Sequence, residues 1–492
     1  MTLLLPLFIV LPLFAACLAG AFFWLKKPGA ELLTNLVAAA LFAAAVGLYF
    51  FRPFNTLMIY DLSGWLPPGG SHLILDGLSH LHILVANFVA WLVALYSVAY
   101  MRKYTNRTGY YALLLLLVTG INGVILTGDF FTLFIFLEIA ALSAYALVAF
   151  GNRRAEIEAA FKYLILGETA SLFILIGIGL VYATTGTYDM AKVSQSFPAD
   201  ASAVKAAILV LFLAGFGMKA ALVPFHAWLP DTHASAPSPI SALLSGVIIK
   251  TLGVYALIRI LYNVFGMTGQ LSLVLMVLSG VTIILGGLLS IGQNDIKRLM
   301  AYSSISQIGI IVAGLSLGSP LGIMGGIFHS FNHALIKPMM FFNAGAIYRA
   351  TGTRDIRKMG GLFFRLPVVS ASSIVGSLAI SGLPPFNGFW SKMFVIVAAA
   401  QTGNLFLAMV IAIGSILTLA SYLIFLTGAI FGRPNGEVNE RTPWLIALPI
   451  VILAGCCFAV GLFVPFISQY LLNPAVVSVF NGTGYGKLMG GN

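Results

Sequence analysis

Apolar runs of about twenty residues recur from one end of this 492-residue chain to the other, and each is long enough to cross a hydrocarbon layer about 30 Å thick. A chain built of such runs has lipid as its main solvent, where backbone amides and carbonyls must find partners within the protein; only helices and closed barrels meet that demand. Barrels alternate apolar and polar residues in segments of about ten, whereas these runs are continuously apolar. Fourteen can be placed, at 3–23, 31–51, 76–100, 110–127, 129–150, 159–184, 205–228, 236–262, 271–290, 299–317, 321–348, 366–399, 404–431 and 444–470. They predict an all-α polytopic membrane protein of about 14 transmembrane helices. Only 8% of residues are charged, against roughly 25% in a soluble domain, so no part of the chain is left to make a large water-facing globule. The first run has no basic segment before it, Lys26 and Lys27 lying behind it, and reads as a retained helix and not as a removable leader. Cys17, Cys456 and Cys457 fall inside apolar runs without metal-ligand spacing and read as packing residues.

A net charge of +11 invites a nucleic-acid reading, but the positions of the charges decide otherwise. Taken alternately, the loops on one side collect sixteen basic residues: Lys26, Lys27, Arg102, Lys103, Arg107, Arg153, Arg154, Lys297, Arg298, Arg349, Arg354, Arg357, Lys358, Arg365, Arg433 and Arg441. The other side collects five: Arg52, Lys192, Lys205, Arg259 and Lys487. The positive-inside rule makes the richer side cytoplasmic and puts both termini outside, as an even number of spans requires. The basic balance is then a signature of insertion into a cell membrane.

Five lysines remain once the loops are filled: Lys162, Lys219, Lys250, Lys337 and Lys392. Glu138, Glu168, His329 and His333 join them inside the predicted spans. A charge at the bilayer centre costs roughly 2.5–3.5 kcal/mol on insertion scales, so such residues face a protein interior or a water-filled cavity. Glu138 has no base near it in sequence and is expected to pair with a lysine from another helix, Lys219 or Lys250. Desolvation favours a neutral lysine and a neighbouring carboxylate a charged one, which is the adjustability a proton carrier needs; a fixed ion pair locking two helices is the alternative. His329, His333 and Lys337 recur every four residues and share one helical stripe, each about 6 Å from the next. The His pair has zinc spacing, but no Glu or Cys nearby completes a site. Ser303, Ser304 and Ser306 offer hydroxyls to a hydrated path. Lys392 follows Ser381-Gly382-Leu383-Pro384-Pro385-Phe386-Asn387-Gly388, a stretch that cannot remain regular helix; its alternative is to snorkel to an interface. Lys162 has Glu158 four residues before it as a surface partner. His226 and His233, beside Pro224 and Pro230, are candidates for proton uptake at the cytoplasmic end. His72, His80 and His82 flank the third run, where structural and functional roles stand level.

No long linker interrupts the series. An internal echo links Gly215-Phe216-Gly217-Met218-Lys219 with Gly388-Phe389-Trp390-Ser391-Lys392, each near a Pro-Phe pair; Pro and Gly inside a span are what a broken transporter helix requires. No phosphate-binding loop, dinucleotide fingerprint or Cys cluster is present. No cofactor or metal is therefore expected, and the driving energy has to come from an ion gradient or a partner.

At these residues the chain resembles the antiporter-like membrane subunits shared by respiratory complex I, Mrp-type cation/proton antiporters and group 4 membrane-bound hydrogenases. The resemblance is densest from Lys219 through Pro224-Phe225-His226-Ala227-Trp228-Leu229-Pro230-Asp231 and Ala236-Pro237-Ser238-Pro239 to Lys250. It implies N-terminal helices 1–3 in residues 1–109, two inverted five-helix repeats in 110–262 and 263–431 with broken helices 7 and 12, and a fourteenth helix with a tail in 432–492. It further implies a proton path through Glu138, Lys219, Lys250, His329, His333, Lys337 and Lys392, with Lys162, Glu168, His226 and Asp231 as accessories. A long lateral C-terminal helix, found in one complex I branch, is not expected. The implied function is a proton-translocating, non-catalytic subunit of a hydrogenase-type or complex I-like respiratory oxidoreductase, with other membrane subunits as partners. Membership of an Mrp-type Na+/H+ antiporter, or self-sufficient antiport, is the alternative.

Overall fold

Runs of Leu, Ala, Val and Phe without internal charge form helices because lipid offers the backbone no other partner, and the computed structural model is built almost wholly of them. It describes residues 2–24, 29–50, 57–62, 71–198, 201–435, 438 and 441–482. Lys26, Lys27, Arg52 and Lys487, which entered the charge count, lie outside the described residues. Helices α1 (Leu7–Trp24) and α2 (Ala30–Phe50) precede a hairpin, β1 (Met58–Asp61) antiparallel to β2 (His72–Leu75), with Asp61 opposite His72. Then come α3 (Gly77–Tyr100), α4 (Arg107–Leu126), α5 (Phe130–Val148), α6 (Arg154–Thr185), the short α7 (Met190–Ser196), α8 (Ser202–Lys219), the short α9 (Trp228–Ser235) and α10 (Ser238–Val264). The second half holds α11 (Gly269–Ile291), α12 (Ile296–Ser316), α13 (Pro320–Thr351), α14 (Pro367–Ser381), α15 (Asn387–Gln401), α16 (Leu405–Ile430), α17 (Trp444–Leu462) and α18 (Val464–Phe480).

Among the described residues twelve helices are long and apolar enough to cross a membrane. Of the remaining two predicted runs, 321–348 is the 32-residue helix α13, buried for most of its length, and 366–399 is split into α14 and α15. Outer helices present their apolar side chains outward, as Phe161 and Leu172 of α6, Val277 of α11 and Ile416 of α16 do, which is what lipid contact demands. At the centre stand α10, α12 and α13. Every residue of α10 is buried, and much of it is wound as π-helix, over Leu244–Tyr255 and Arg259–Val264; such wide turns gather at functional sites.

The two ends of the bundle are tied by matching devices. Thr185-Gly186-Thr187-Tyr188-Asp189 closes α6 and Thr351-Gly352-Thr353-Arg354-Asp355 closes α13. In each, the glycine caps the helix in the left-handed region, at φ 70° and 69°, and the final Asp bridges to the residue before another helix, Asp129 or Asp295. Tyr188 accepts from the Phe130 amide at 2.9 Å and Arg354 from the Ile296 amide at 3.0 Å. The first device lies beside the hairpin, through His72, and the second beside Lys297. Helix α3 runs from the hairpin end, at Asp76, to the opposite, basic end, at Lys103.

Two residues assigned to loops by charge counting are buried instead. Arg259 lies within α10, forked onto the Asp76 carboxylate at 2.6 and 2.5 Å. Lys297, in the first turn of α12, donates to the Ala236 carbonyl. Long side chains let a helix start below its surface while keeping a polar partner, and no count along the chain registers that.

At the hairpin, His72 bonds Asp61 through Nδ1 and lies 3.4 Å from Asp189 Oδ2 through Nε2. The Asp189 contact, ahead of an opposing burial cost, raises the imidazole above its ordinary value of 6.5. A group raised in the folded state contributes stability that is fully present below its unfolded value and is lost as pH climbs through the folded one. Hairpin amides at 58–61 and 72–75 are therefore expected to lose hydrogen-exchange protection as pH rises above 6.5, after correction for intrinsic base catalysis, and His72→Gln should remove that dependence. Equal pH profiles in both proteins would refute the assignment.

Candidate functional site

Lys219 is the last residue of α8. Beyond it Pro224 cannot continue the amide ladder, Ala221 turns to φ 57°, and the chain unwinds until Trp228. Freed backbone groups find side chains: the Val223 amide donates to Thr282 Oγ1 on α11 at 3.1 Å, and the Trp228 indole caps the Met218 carbonyl at 3.0 Å. The second break, after Ser381, is handled similarly. Gly382 turns to φ 86°, and the Lys392 ammonium of α15 donates to the Ile380 carbonyl at 2.7 Å, placing a cation at the negative end of α14. A Cβ on Gly388 would lie 1.8 Å from the Ala379 carbonyl oxygen, so only glycine allows α15 to start this close to α14. The GFxxK echo thus flanks both breaks, before the first and after the second.

An ion pair of Glu138 with Lys219 or Lys250 was the sequence expectation. Among the described residues the structure has an indirect arrangement. Lys219 donates to the Tyr145 hydroxyl at 3.5 Å, and Glu138 accepts from Ser171 Oγ. Both Glu138 and Glu168 lie within electrostatic range of Lys219. Tyr145 reaches into α6 because residue 167 is glycine, whose Cβ would sit 1.9 Å from the phenol oxygen. The hydroxyls of Tyr145 and Ser171 are thus the hydrogen-bond partners of Lys219 and Glu138.

From Lys219 the row continues inward. Lys250, on the π-wound part of α10, donates to the Ser245 carbonyl, and Ser245 meets Ser304 at 3.0 Å. His333 is wholly buried, without a protein partner for either ring nitrogen, and lies within electrostatic range of Lys250, Lys337, His329 and His233. Lys337 donates to the Met300 carbonyl at 2.8 Å, to Ser303 Oγ, and to the Tyr422 hydroxyl at 3.1 Å. His329 bonds Ser391 through Nδ1 at 2.9 Å and Gln307 through Nε2 at 3.1 Å, and Ser391 adjoins Lys392. Six of the seven predicted path residues, Glu138 being half-buried, are thus buried and strung from α8 to α15. Ser303 and Ser304 serve the row as expected; Ser306 bonds the Ile283 carbonyl at 2.9 Å and packs α12 on α11.

The accessory residues divide. Lys162 is no intramembrane charge: its side chain is 46% exposed and pairs with Glu158 at 2.9 Å and Asp231 at 3.0 Å, while Asp231 also takes Arg298 at 2.5 Å. Asp231 therefore fastens α6, α9 and α12 together at the surface. Glu168 stays with the Lys219 cluster. His226 is half-buried in the unwound segment. His233 departs furthest from expectation. It is wholly buried, both ring nitrogens lack a protein partner, and Lys250, Lys297 and Lys337 surround it, so it belongs to the central row. Sequence reasoning missed Tyr145, Ser171, Gln307, Ser391 and Tyr422, which connect the row; only the spacing of Ser391 beside Lys392 offered a signal. Among the described residues no three metal-ligating side chains gather.

Several bases packed in low dielectric cannot all be charged at once, since each proton raises the cost of the next. Carboxylates stand at one end only. The arrangement is that of an antiporter-like membrane subunit.

The sequence profile described as the NADH:quinone oxidoreductase/Mrp antiporter transmembrane family matches residues 127–418, and that of the N-terminus of complex I chain 5 matches 65–111. NADH-quinone oxidoreductase subunit N of Desulforudis audaxviator is 36% identical over 486 residues, covering 94% of this chain and 96% of the relative. Among solved structures, the Mrp complex of Dietzia sp. DQ12-45-1b matches with a TM-score of 0.91 at 26% identity, covering 99% of both chains. The membrane-bound sulfane sulfur reductase, an archaeal respiratory membrane complex, matches with a TM-score of 0.90 at 32% identity, covering 98% of this chain and 99% of the other. The chain belongs to the NADH:quinone oxidoreductase/Mrp antiporter family.

Proposed function

We propose that this chain is the proton-translocating subunit of a membrane-bound respiratory oxidoreductase of the complex I or hydrogenase type, carrying H+ along Glu138, Lys219, Lys250, His333, Lys337, His329 and Lys392. The observation that carries the reading is the row of buried titratable groups between the two helix breaks, with hydroxyl and amide side chains bonded to Glu138, Lys219, Lys337 and His329. Glu168 shares the input cluster with Glu138, His226 lies on the uptake side, and His233 belongs to the central row. The basic end, where Lys103, Arg153, Lys297 and Arg354 gather, is the cytoplasmic one, and both termini are outside the cell membrane. Residues 110–262 and 263–431 are two inverted repeats within fourteen crossings, a reading supported by the Thr-Gly-Thr-x-Asp devices at opposite ends.

Energy comes from a redox partner, since the row contains no group that could supply it. An Mrp-type Na+/H+ antiporter subunit is the second reading, favoured by the structural match to the Mrp complex. Glu138→Gln in the assembled complex is expected to lower proton movement by about a hundredfold or more, the scale of losing a positioned proton carrier, with assembly intact. Dye-reported proton uptake by vesicles, driven by the complex's electron donor or by a Na+ gradient, checks this and tells the two readings apart. Undiminished uptake in the variant would sink the path.

A further inference from the structure

At the basic end, the last turn of α3, the first turn of α6, the α9–α10 junction, the start of α12 and the end of α13 enclose a cavity of about 110 Å3. Lys103, Arg153, Lys297 and Arg354 line it, against the single carboxylate of Glu156. Arg354 is also paired with Asp295 at 3.1 Å. With both carboxylates counted, two of the four positive charges remain uncompensated. Lys297 is buried at 3% exposure and its ammonium has only the neutral Ala236 carbonyl. Lys103 is exposed, and its ammonium stands over the rings of Tyr100 and Tyr348, at 4.8 and 5.3 Å. Ala155, in the first turn of the 32-residue α6, completes the wall, so the positive end of a long helix dipole adds to the field.

Surplus positive charge and several N–H and O–H donors together select an anion rich in oxygen and repel cations. None of these groups belongs to the central row except through Lys297, which adjoins His233. We propose that this cavity binds a phosphate-type oxyanion, carried on an anionic phospholipid headgroup or as free phosphate. The site lies where a headgroup of the basic-side leaflet would reach it, and an anion there balances the charge beside Lys297.

The test uses the full chain, purified in detergent, with thermal unfolding as the readout. Phosphatidylglycerol added to phosphatidylcholine micelles, or inorganic phosphate against chloride at equal ionic strength, is expected to raise the unfolding temperature by about 2–4 °C, the shift expected for a modest binding energy in a large domain. The shift should vanish in the Lys103→Gln, Arg153→Gln double variant and persist in Lys103→Arg, Arg153→Lys. Lys192→Gln, at the hairpin end, should keep it. A shift with phosphatidylglycerol alone assigns a lipid headgroup, and a shift with inorganic phosphate identifies the free anion. No shift of the parent chain with either probe, or an equal shift in the neutralised variant, overturns the proposal.

Discussion

Replacing Lys250 with Met is expected to abolish proton movement while leaving the fold as stable as the parent or more so. Lys250 is 2% exposed in a helix that is buried throughout, and its one hydrogen bond is to the Ser245 carbonyl of its own helix. Met has a similar length and no branch, so it can occupy the channel vacated by the lysine stem. Removing a buried charge-bearing group in favour of an apolar one of like volume is typically neutral or stabilising by about 1–4 kcal/mol. Transport should nevertheless fall by about a hundredfold or more, because Lys250 is the central link of the proposed path between the Lys219 cluster and His333. Proton uptake by vesicles holding the assembled complex, beside unfolding of the purified chain, makes the comparison. A variant that pumps normally removes Lys250 from the path. One that loses several kcal/mol of stability makes the buried lysines scaffold instead.

Asp76→Ala is expected to have the opposite signature, a loss of about 3–5 kcal/mol, the cost of breaking a buried ion pair from one side. Asp76 and Arg259 side chains are 9% and 7% exposed, and the guanidinium takes both carboxylate oxygens. Asp76 also caps α3, accepting from the Ser79 amide at 2.9 Å. With the carboxylate gone, Arg259 would remain buried with its Tyr255 and Asn263 contacts but would have lost the Asp76 carboxylate that takes its fork. The double change Asp76→Ala, Arg259→Met should recover most of the loss, short of the cap. Denaturant unfolding in mild detergent reads the cycle; additive losses in the double variant would mean that the pair is not coupled.

The chain's order in lipid could be read directly from its residues. Length and continuity of apolar runs dictate helices, Pro224 and Pro384-Pro385 dictate where two of them break, and the lysines left over from the loops identify which residues need an interior. The positions of Lys219 beside one break and Lys392 beside the other followed from the same residues. Less legible was the partner of each charge. Tyr145 takes Lys219 while Ser171 takes Glu138, and Asp76 and Arg259 are 183 residues apart. His233, seven residues past His226, stands among three lysines of the central row and not at the uptake end, and Lys162 takes Asp231 from a distant helix besides the Glu158 expected as its surface partner.

The sequence by itself determined the solvent, the helices, the breaks and the identity of the titratable groups, because those follow from local composition and the backbone's need for hydrogen bonds. Tertiary structure alone decided depth, direction and partner. A helix apolar on all sides carries little information about which face turns inward, and the rotation that brings His233 among three lysines or Lys162 to Asp231 is set by packing against helices distant in the chain.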